Sequence, residues 1–345
     1  MTTPFAERLL AWFDVHGRSD LPWQHPRTRY RVWISEIMLQ QTQVTTVIGY
    51  FSKFIEQFPD LESLAQAPLD DVLAQWSGLG YYARARNLHK AAQIACEHHD
   101  GQLPDTFEDL IALPGIGRST AGAILAQADG QRHAILDGNV KRVLARHEAV
   151  AGWPGQTQVA KTLWAASERY TPETRVADYT QGIMDLGATL CTRSRPSCEA
   201  CPVSDTCQAF ASASVSEYPG KKPKKAKPQR HVHMLVHQRR SDSAVLLTRR
   251  PAEGIWGGLW SFAEVERDTD IPTRAERLPS LTHKFTHFDL HIQPWRIEQR
   301  ASQVADDDAT RWVKRDELST VGVPRPVEKI LESLQSTRSL WESQE

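Results

Sequence analysis

Leu113-Pro114-Gly115-Ile116-Gly117-Arg118-Ser119-Thr120, a run of small residues through Ala128, and then Leu136-Asp137-Gly138-Asn139-Val140-Lys141-Arg142 form the stretch around which this chain is organised. Two glycines flanking one apolar residue predict a tight turn with uncovered backbone N–H groups, and Ser119 or Thr120 can begin the helix that follows. Gly115 and Gly117 in such a turn suit an anion, phosphate above all. From the octapeptide alone, a loop between two helices with nothing bound is an equal reading. About twenty residues beyond the glycine turn, Asp137 stands immediately before Gly138-Asn139.

Composition sets limits. The chain has 345 residues, 40% of them apolar, enough for two or more domains with their own cores. Its net charge of -1 advertises no global attraction to nucleic acid, so a DNA-binding face must gather positive charge locally or use backbone amides. There is no apolar run of membrane-spanning length and no signal-peptide layout in residues 1–10, so we expect a cytoplasmic protein with no membrane partner. Four of the five cysteines crowd between Cys191 and Cys207, which argues for a metal site in a reducing compartment over disulfides.

Residues 5–15 carry helical spacing at Phe5, Leu9, Trp12 and Phe13. Tyr30 to Val44 reads as a single helix with aromatic and aliphatic residues on nearly every side of Glu36. Burial there raises a carboxyl pKa and lets the group act as a general acid near neutral pH, whereas an arginine partner would make it structural. Gln40, Gln41 and Gln43 put three amides close together on this helix, able to hydrogen-bond base edges. Residues 51–76 read as core helices joined at Pro59 and Pro68. Gly78-Leu79-Gly80-Tyr81-Tyr82-Ala83-Arg84-Ala85-Arg86-Asn87 repeats the pattern of a glycine turn leading into a helix. An exposed tyrosine there can wedge between bases and an arginine can meet phosphate, while at least one of the two tyrosines is expected to pack structurally.

The Asp137-Gly138-Asn139 element behind the glycine turn resembles the helix-hairpin-helix DNA glycosylase superfamily, in which that aspartate sits at the catalytic centre. The Leu39-Gln40-Gln41-Thr42-Gln43 string strongly resembles the adenine DNA glycosylases of the MutY type. This resemblance implies Glu36 and Asp137 as the catalytic carboxylates, with Asn139 and Ser119 orienting them by hydrogen bonds. It nominates Tyr81 as the wedge that enters the duplex when a base is flipped out. Gln41, Arg84, Leu113, Gly115, Gly117 and Lys141 are the further DNA contacts it implies.

Helical segments continue over 106–113, 138–147, 157–170 and 175–190 with no strand-like alternation. The last runs into Cys191, Cys198, Cys201 and Cys207, spaced C-x6-C-x2-C-x5-C. Zinc usually takes two short knuckles with a longer gap; this compact, uneven spacing fits a cubane cluster at least as well, and iron-sulfur is our expectation. The same spacing marks the 4Fe-4S cluster of the endonuclease III and MutY glycosylases. The resemblance therefore implies one such cluster, a loop presenting Arg193 and Arg195 to phosphates, and no redox step in the reaction.

Near Ser212 the composition changes, and residues 221–230 hold six basic residues and two prolines, which reads as a solvated, extended linker. Short strand candidates follow at 231–237, 244–249, 258–262, 283–288 and 290–297, then helices near 314–319 and 327–333. This α+β module resembles the Nudix (MutT-like) fold. After Gly258 only Glu264 and Glu266 stand where the Nudix hydrolase signature needs a spaced run of glutamates, so a recognition role is expected in place of pyrophosphate hydrolysis. In the MutY family a Phe-Ser-His loop approaches 8-oxoguanine; the corresponding triplet here is Phe285-Thr286-His287.

The nearest rival, an endonuclease III-like enzyme, carries a Schiff-base lysine where this chain has Ser119, although Lys141 could trap the product sugar adventitiously. We therefore expect a multidomain protein: an all-α helix-hairpin-helix glycosylase domain over 1–211 with its cluster loop at 191–207, a basic linker over 212–230, and an α+β Nudix-like domain over 231–345. The resemblance implies a monomeric adenine DNA glycosylase acting on double-stranded DNA with adenine opposite 8-oxoguanine or guanine.

Overall fold

The computed structural model describes residues 3–223, 226–299 and 309–342; Lys224 and Lys225 of the basic linker lie outside the described residues. Contacts divide the chain into two bodies, one combining residues 1–66 with 87–224 and the other combining 67–86 with 225–345.

The first body is helical. Pro4–His16 starts on a Thr3 cap whose hydroxyl accepts from the Ala6 N–H at 3.3 Å, with proline in the first turn where a missing N–H costs nothing. Phe5, Leu9 and Leu10 on one side of that helix join Leu136, Val140, Leu144, Leu163, Tyr179, Ile183 and Leu186 in a single buried cluster. Arg29–Leu39 is capped by Thr28, packs on Arg118–Asp129, and buries Val32, Trp33, Ile34, Ile37 and Met38. The helix expected over 30–44 ends five residues early. Gln40 leaves helical geometry, Gln41 takes a left-handed φ of 61°, and a new helix, Val44–Gln57, begins after Gln43. The three amides therefore sit in a turn between two helices.

The helix over 175–190 also divides. Val176–Asp185 passes into a π-helical turn, Leu186–Leu190, which delivers Cys191, whose N–H donates to the Leu186 carbonyl at 2.7 Å. Such wide turns interrupt α-helices where a neighbour must come close. Here the neighbour is Asn139: a Cβ on Gly187 would lie 2.6 Å from the Asn139 Cβ.

The second body is an eight-stranded mixed sheet: β1 Gln229–Arg239, β2 Val245–Arg249, β3 Trp260–Ser261, β4 Ala263–Val265, β5 Glu276–Arg277, β6 Leu281–Lys284, β7 Asp289–Gln299 and β8 Thr310–Val313. Its order is β3-β2-β1-β7-β5, with β4 on β1, β6 on β7 and β8 on β2; β1 and β7 run parallel and the other pairs antiparallel. Val232, Met234 and Val236 alternate into the core from β1 as period two demands. The strand expected over 283–288 sits two residues earlier, because the Phe285 N–H closes onto the Phe288 carbonyl at 2.9 Å and makes 285–288 a hairpin tip. A helix, Arg325–Glu342, closes the module.

The 67–86 excursion joins this second body because its apolar and polar groups find partners there. Leu73 lies where a Cβ on Gly322 would touch it at 3.1 Å, Tyr82 Oη donates to the Val323 carbonyl at 3.2 Å, and Arg249 pairs with Asp70 at 2.7 Å. By contact this segment therefore groups with the second body, and the first body runs on to residue 224. No helix among the described residues is long and apolar enough to cross a membrane.

In the first body, a Cβ on Gly122 would meet the Ala134 carbonyl oxygen at 2.7 Å. Gly122→Ala is expected to lower stability by about 1–3 kcal/mol despite the better helix propensity of alanine. Urea unfolding reads this, and an unchanged midpoint would show that the 134–136 segment yields freely.

Candidate active site and DNA interface

Asp137 caps the helix Gly138–His147, its Oδ1 accepting from the Val140 N–H at 2.7 Å. The segment leading to it is held by Ser119, whose Oγ accepts from the Leu136 N–H at 2.9 Å. Helix Arg118–Asp129 is capped by Gly117, so Ser119 lies inside its first turn and uses its hydroxyl across the body instead of as a cap. From the same helix the buried Gln127 donates from Nε2 to Glu36 Oε1 at 3.3 Å.

Glu36 is pushed up to about 8, first by burial and then by the Asp137 carboxylate, while the Gln127 amide pulls the other way. Asp137 is also raised by burial, against the backbone N–H groups of Val140 and Asn139 and the charges of Arg142 and Lys141. Two half-buried carboxyls that repel one another cannot both ionise cheaply, so one proton is shared out between them. Asp137 is the better seat for the charge, with two backbone donors at a helix N-terminus; Glu36 has one amide. That amide serves either state, its N–H₂ donating to a carboxylate or its oxygen accepting from a carboxylic O–H.

Asn139 contributes to Asp137 through its backbone N–H, while its side-chain Oδ1 accepts from Arg142 Nη2 at 2.8 Å. Arg142 also donates to the carbonyls of Gly187 at 2.6 Å and Cys191 at 2.7 Å. One turn on, the buried Arg146 donates to Cys191 Sγ at 3.3 Å and to the carbonyls of Thr192, Arg193 and Tyr218. Neither arginine was singled out from the sequence; the available signal was a pair of cations four residues apart on the helix that Asp137 starts. Gln127 offered less, a lone amide in a run of alanines.

Cys191, Cys198, Cys201 and Cys207 are part-buried and line one pocket with Val143, Arg146 and Leu186. Burial and the neighbouring thiols push Cys201 up to about 11 and raise Cys198 and Cys207 as well. Four thiolates can share this pocket only around a strongly cationic centre. Among the described residues no three Cys, His, Asp or Glu groups are placed to hold a single metal ion, and these four cysteines are the residues that would hold a metal group here. Arg193 and Arg195 are exposed on the loop between the first two cysteines.

The glycine turn is open. Leu113 is buried at the end of helix Phe107–Ala112, and Gly115 needs its left-handed φ of 81°. At Gly117 an added Cβ would meet nothing within 4 Å and the φ of -96° suits any residue, so packing within the chain does not account for glycine there. Lys141 is half-buried on the Asp137 helix.

In the second body, Gly78, Gly80 and Tyr81 all have positive φ. Tyr81 is 50% exposed and Tyr82 8%, so the second tyrosine is the structural one. Arg84 turns back on this loop, donating to the carbonyls of Leu79 and Gly80 with its guanidinium 5.4 Å from the Trp76 ring. At the β6–β7 tip Thr286 and His287 are exposed, whereas Phe285 packs on Phe288 at 4.6 Å.

Residues 34–169 match the model of the HhH-GPD superfamily of base excision DNA repair proteins, and residues 232–333 match the NUDIX domain. The chain is 40% identical over 342 residues to the adenine DNA glycosylase of Buchnera aphidicola subsp. Acyrthosiphon pisum (strain APS), covering 95% of this chain and 97% of that one. This chain belongs to the adenine DNA glycosylase family. The human adenine DNA glycosylase is 33% identical, over 95% of this chain and 73% of its own length. Of the solved structures, a thermostable thymine-DNA glycosylase superposes with a TM-score of 0.53 at 27% identity, over 60% of this chain and 95% of that one. An adenine DNA glycosylase of this family is a base excision repair enzyme, and the helix-hairpin-helix body with its Nudix-like partner is the architecture expected from the sequence.

Glu36 carries a stability cost that follows from its position in this glycosylase. Its folded-state pKa of about 8 lies above the ordinary carboxyl value of 4.5, so between those values the folded state holds a proton that the unfolded state has lost. Stability therefore falls as pH rises through this window. Glu36→Gln is expected to be more stable than the parent by about 1–2 kcal/mol at pH 7.5, with the gain vanishing below pH ~4.5. Thermal unfolding at both pH values measures it; a pH-independent difference would remove the buried-acid reading.

Proposed function

We propose that this enzyme hydrolyses the N-glycosidic bond of adenine mispaired with 8-oxoguanine or guanine, using Glu36 and Asp137 as catalytic residues and leaving an abasic site. The carrying observation is the coupled pair: an acid pushed up to about 8 facing a carboxylate seated on a helix N-terminus. Adenine is unstacked and turned out of the duplex, which costs a few kcal/mol and is easiest for a mispaired base. Glu36, protonated at neutral pH, donates its proton to the imidazole ring of the purine and makes adenine a better leaving group. Asp137, ionised, stabilises the oxocarbenium-like sugar until water completes the reaction. Ser119 and Asn139 act by fixing the backbone around Asp137.

The DNA contacts follow the same logic. Gly117 leaves the amides of the hairpin helix open to a backbone phosphate, with Leu113 and Gly115 shaping the turn. Gln41, exposed and held in left-handed geometry, suits the space left by a displaced base, and Tyr81 suits a wedge. Lys141, Arg193 and Arg195 meet phosphates, whereas Arg84 supports the tyrosine turn. Phe285, Thr286 and His287 inspect the base opposite adenine, Phe285 by bracing the tip and the other two by their exposed polar groups. A 4Fe-4S cluster on the four cysteines would tie the loop by iron-thiolate bonds and leave the reaction without a redox step. We expect a monomer working on duplex DNA in the cytoplasm.

Single-turnover excision on duplexes with adenine opposite 8-oxoguanine, guanine or thymine tests this reading. Strand breaks should be confined to the first two duplexes and appear only after alkali, since Ser119 offers no Schiff-base nitrogen. Breaks without alkali, or on a thymine glycol strand, would make the enzyme endonuclease III-like. Glu36→Gln and Asp137→Asn should each abolish excision with duplex binding retained; equal loss of binding would make both structural. Because the acid must hold its proton, kcat/KM should decline as pH rises through about 8, and a flat profile to pH 9 would remove Glu36 as the donor. Purified protein should be brown with broad visible absorption that Cys198→Ser abolishes; stoichiometric zinc in its place would overturn the cluster.

A further inference from the structure

Arg86 stands four residues beyond Tyr82 and has no part in the reading above. Its Nη1 donates to the Gly257 carbonyl at 2.7 Å, and its stem lies 3.9 Å, and Leu73 3.7 Å, from where a Cβ on Gly258 would stand. The residue before Gly257 is Trp256, 9% exposed, held at a left-handed φ of 55° that a bulky side chain rarely adopts. The Trp256 ring packs against Phe285 at 5.3 Å and His283 at 5.4 Å, and so braces the hairpin tip from beneath. At the other end of the same segment, the Tyr82 hydroxyl bonds the Val323 carbonyl, Ser77 Oγ donates to Glu328 Oε1 at 2.9 Å, and Asp70 pairs with Arg249.

Tyr81 and the Phe285-Thr286-His287 tip therefore belong to one body and are joined by a short physical path: the tyrosine turn, Arg86, the Gly257 backbone, Trp256 and Phe285. Two residues with left-handed φ, Tyr81 and Trp256, lie on it, the first at one end and the second next to Phe285 at the other. Coupling over such a path requires that neither end change shape without the other, which a guanidinium-carbonyl bond and a buried indole provide.

We propose that Arg86 and Trp256 are positioning residues that make insertion of Tyr81 conditional on what the 285–287 tip finds, so that preference for 8-oxoguanine is set jointly by the wedge and the tip. The inference rests on the reading of Tyr81 as wedge and of the tip as base reader. Arg86 and Trp256 touch neither DNA nor adenine in this scheme. They transmit.

The test uses the full-length enzyme and duplexes with adenine opposite 8-oxoguanine or guanine. Arg86→Met keeps the stem and removes the bond to Gly257; Tyr82→Phe, which loosens the other anchor of the turn by one oxygen, serves if the first variant does not fold. Each is made alone and on top of Tyr81→Ala. Arg86→Met is expected to reduce the 8-oxoguanine-over-guanine preference about ten-fold, through affinity and not through the rate at saturating enzyme. On the Tyr81→Ala background the same change should cost less than two-fold. A 2-aminopurine beside the lesion, bright when the wedge unstacks it, should dim in parallel. Undiminished effects on both backgrounds, or an unchanged preference in either folded variant, would overturn the coupling and leave the wedge intact. A Tyr81→Ala enzyme with normal preference and normal 2-aminopurine signal would instead overturn the wedge reading itself.

Discussion

The active site depends on one close approach, that of helix Arg118–Asp129 to the extended segment ending in Asp137. Gly122 permits it, since any side chain there would meet the Ala134 carbonyl, and Ser119 fastens it through the Leu136 N–H. Three turns of the same helix then carry the glycine turn at one end and Gln127, the partner of Glu36, near the other. A single rigid element thus fixes the open glycine turn, the support of one carboxylate and the partner of the second. Displacement of this helix would disturb all three together, and the burial and Asp137 repulsion that hold the Glu36 carboxyl above its ordinary range would change with it.

A second tie runs from Asp137 toward the cysteines. Arg142 and Arg146 leave successive turns of the helix Asp137 begins, and both end on the loop of Cys191. Their donors satisfy carbonyls that a π-helical turn and an irregular loop would otherwise leave bare, which is costly in a buried site. The cysteine pocket is consequently part of the support of the Asp137 helix as well as the base of the loop that exposes Arg193 and Arg195.

Much of this was legible in the sequence because chemistry at these positions demands rare residue types at tight spacing. Asp137 before Gly-Asn, Glu36 amid aromatic residues and the four cysteines carry their meaning in a few neighbours, and Tyr81 and Tyr82 divide between surface and core as an adjacent pair must at a turn. What escaped was set by tertiary partners. Nothing local ends the Arg29–Leu39 helix at Leu39, because Gln40 and Gln41 are good helix formers, yet Gln41 adopts a left-handed φ of 61° there. Strands of two to four residues such as β5 and β8 lack the length for a period-two signal. Gln127, Arg142 and Arg146 look like ordinary helix residues until their partners, tens of residues away, are in view.

The membership of residues 67–86 in the second body has the same origin and a wider consequence. By sequence this segment sits inside the helical domain, flanked by core helices on both sides. Its side chains are nonetheless satisfied by Val323, Glu328, Arg249 and Gly257, all more than 160 residues away. The Tyr81 turn borne on this segment is anchored to the module that carries the 285–287 tip, not only to the chain that precedes it. Domain boundaries drawn along the sequence would assign the Tyr81 turn to the helical domain and the 285–287 tip to the Nudix-like one. Boundaries drawn by contact put both on one body, and a substitution in either the turn or the sheet that loosens Arg86 or Tyr82 bears on both at once.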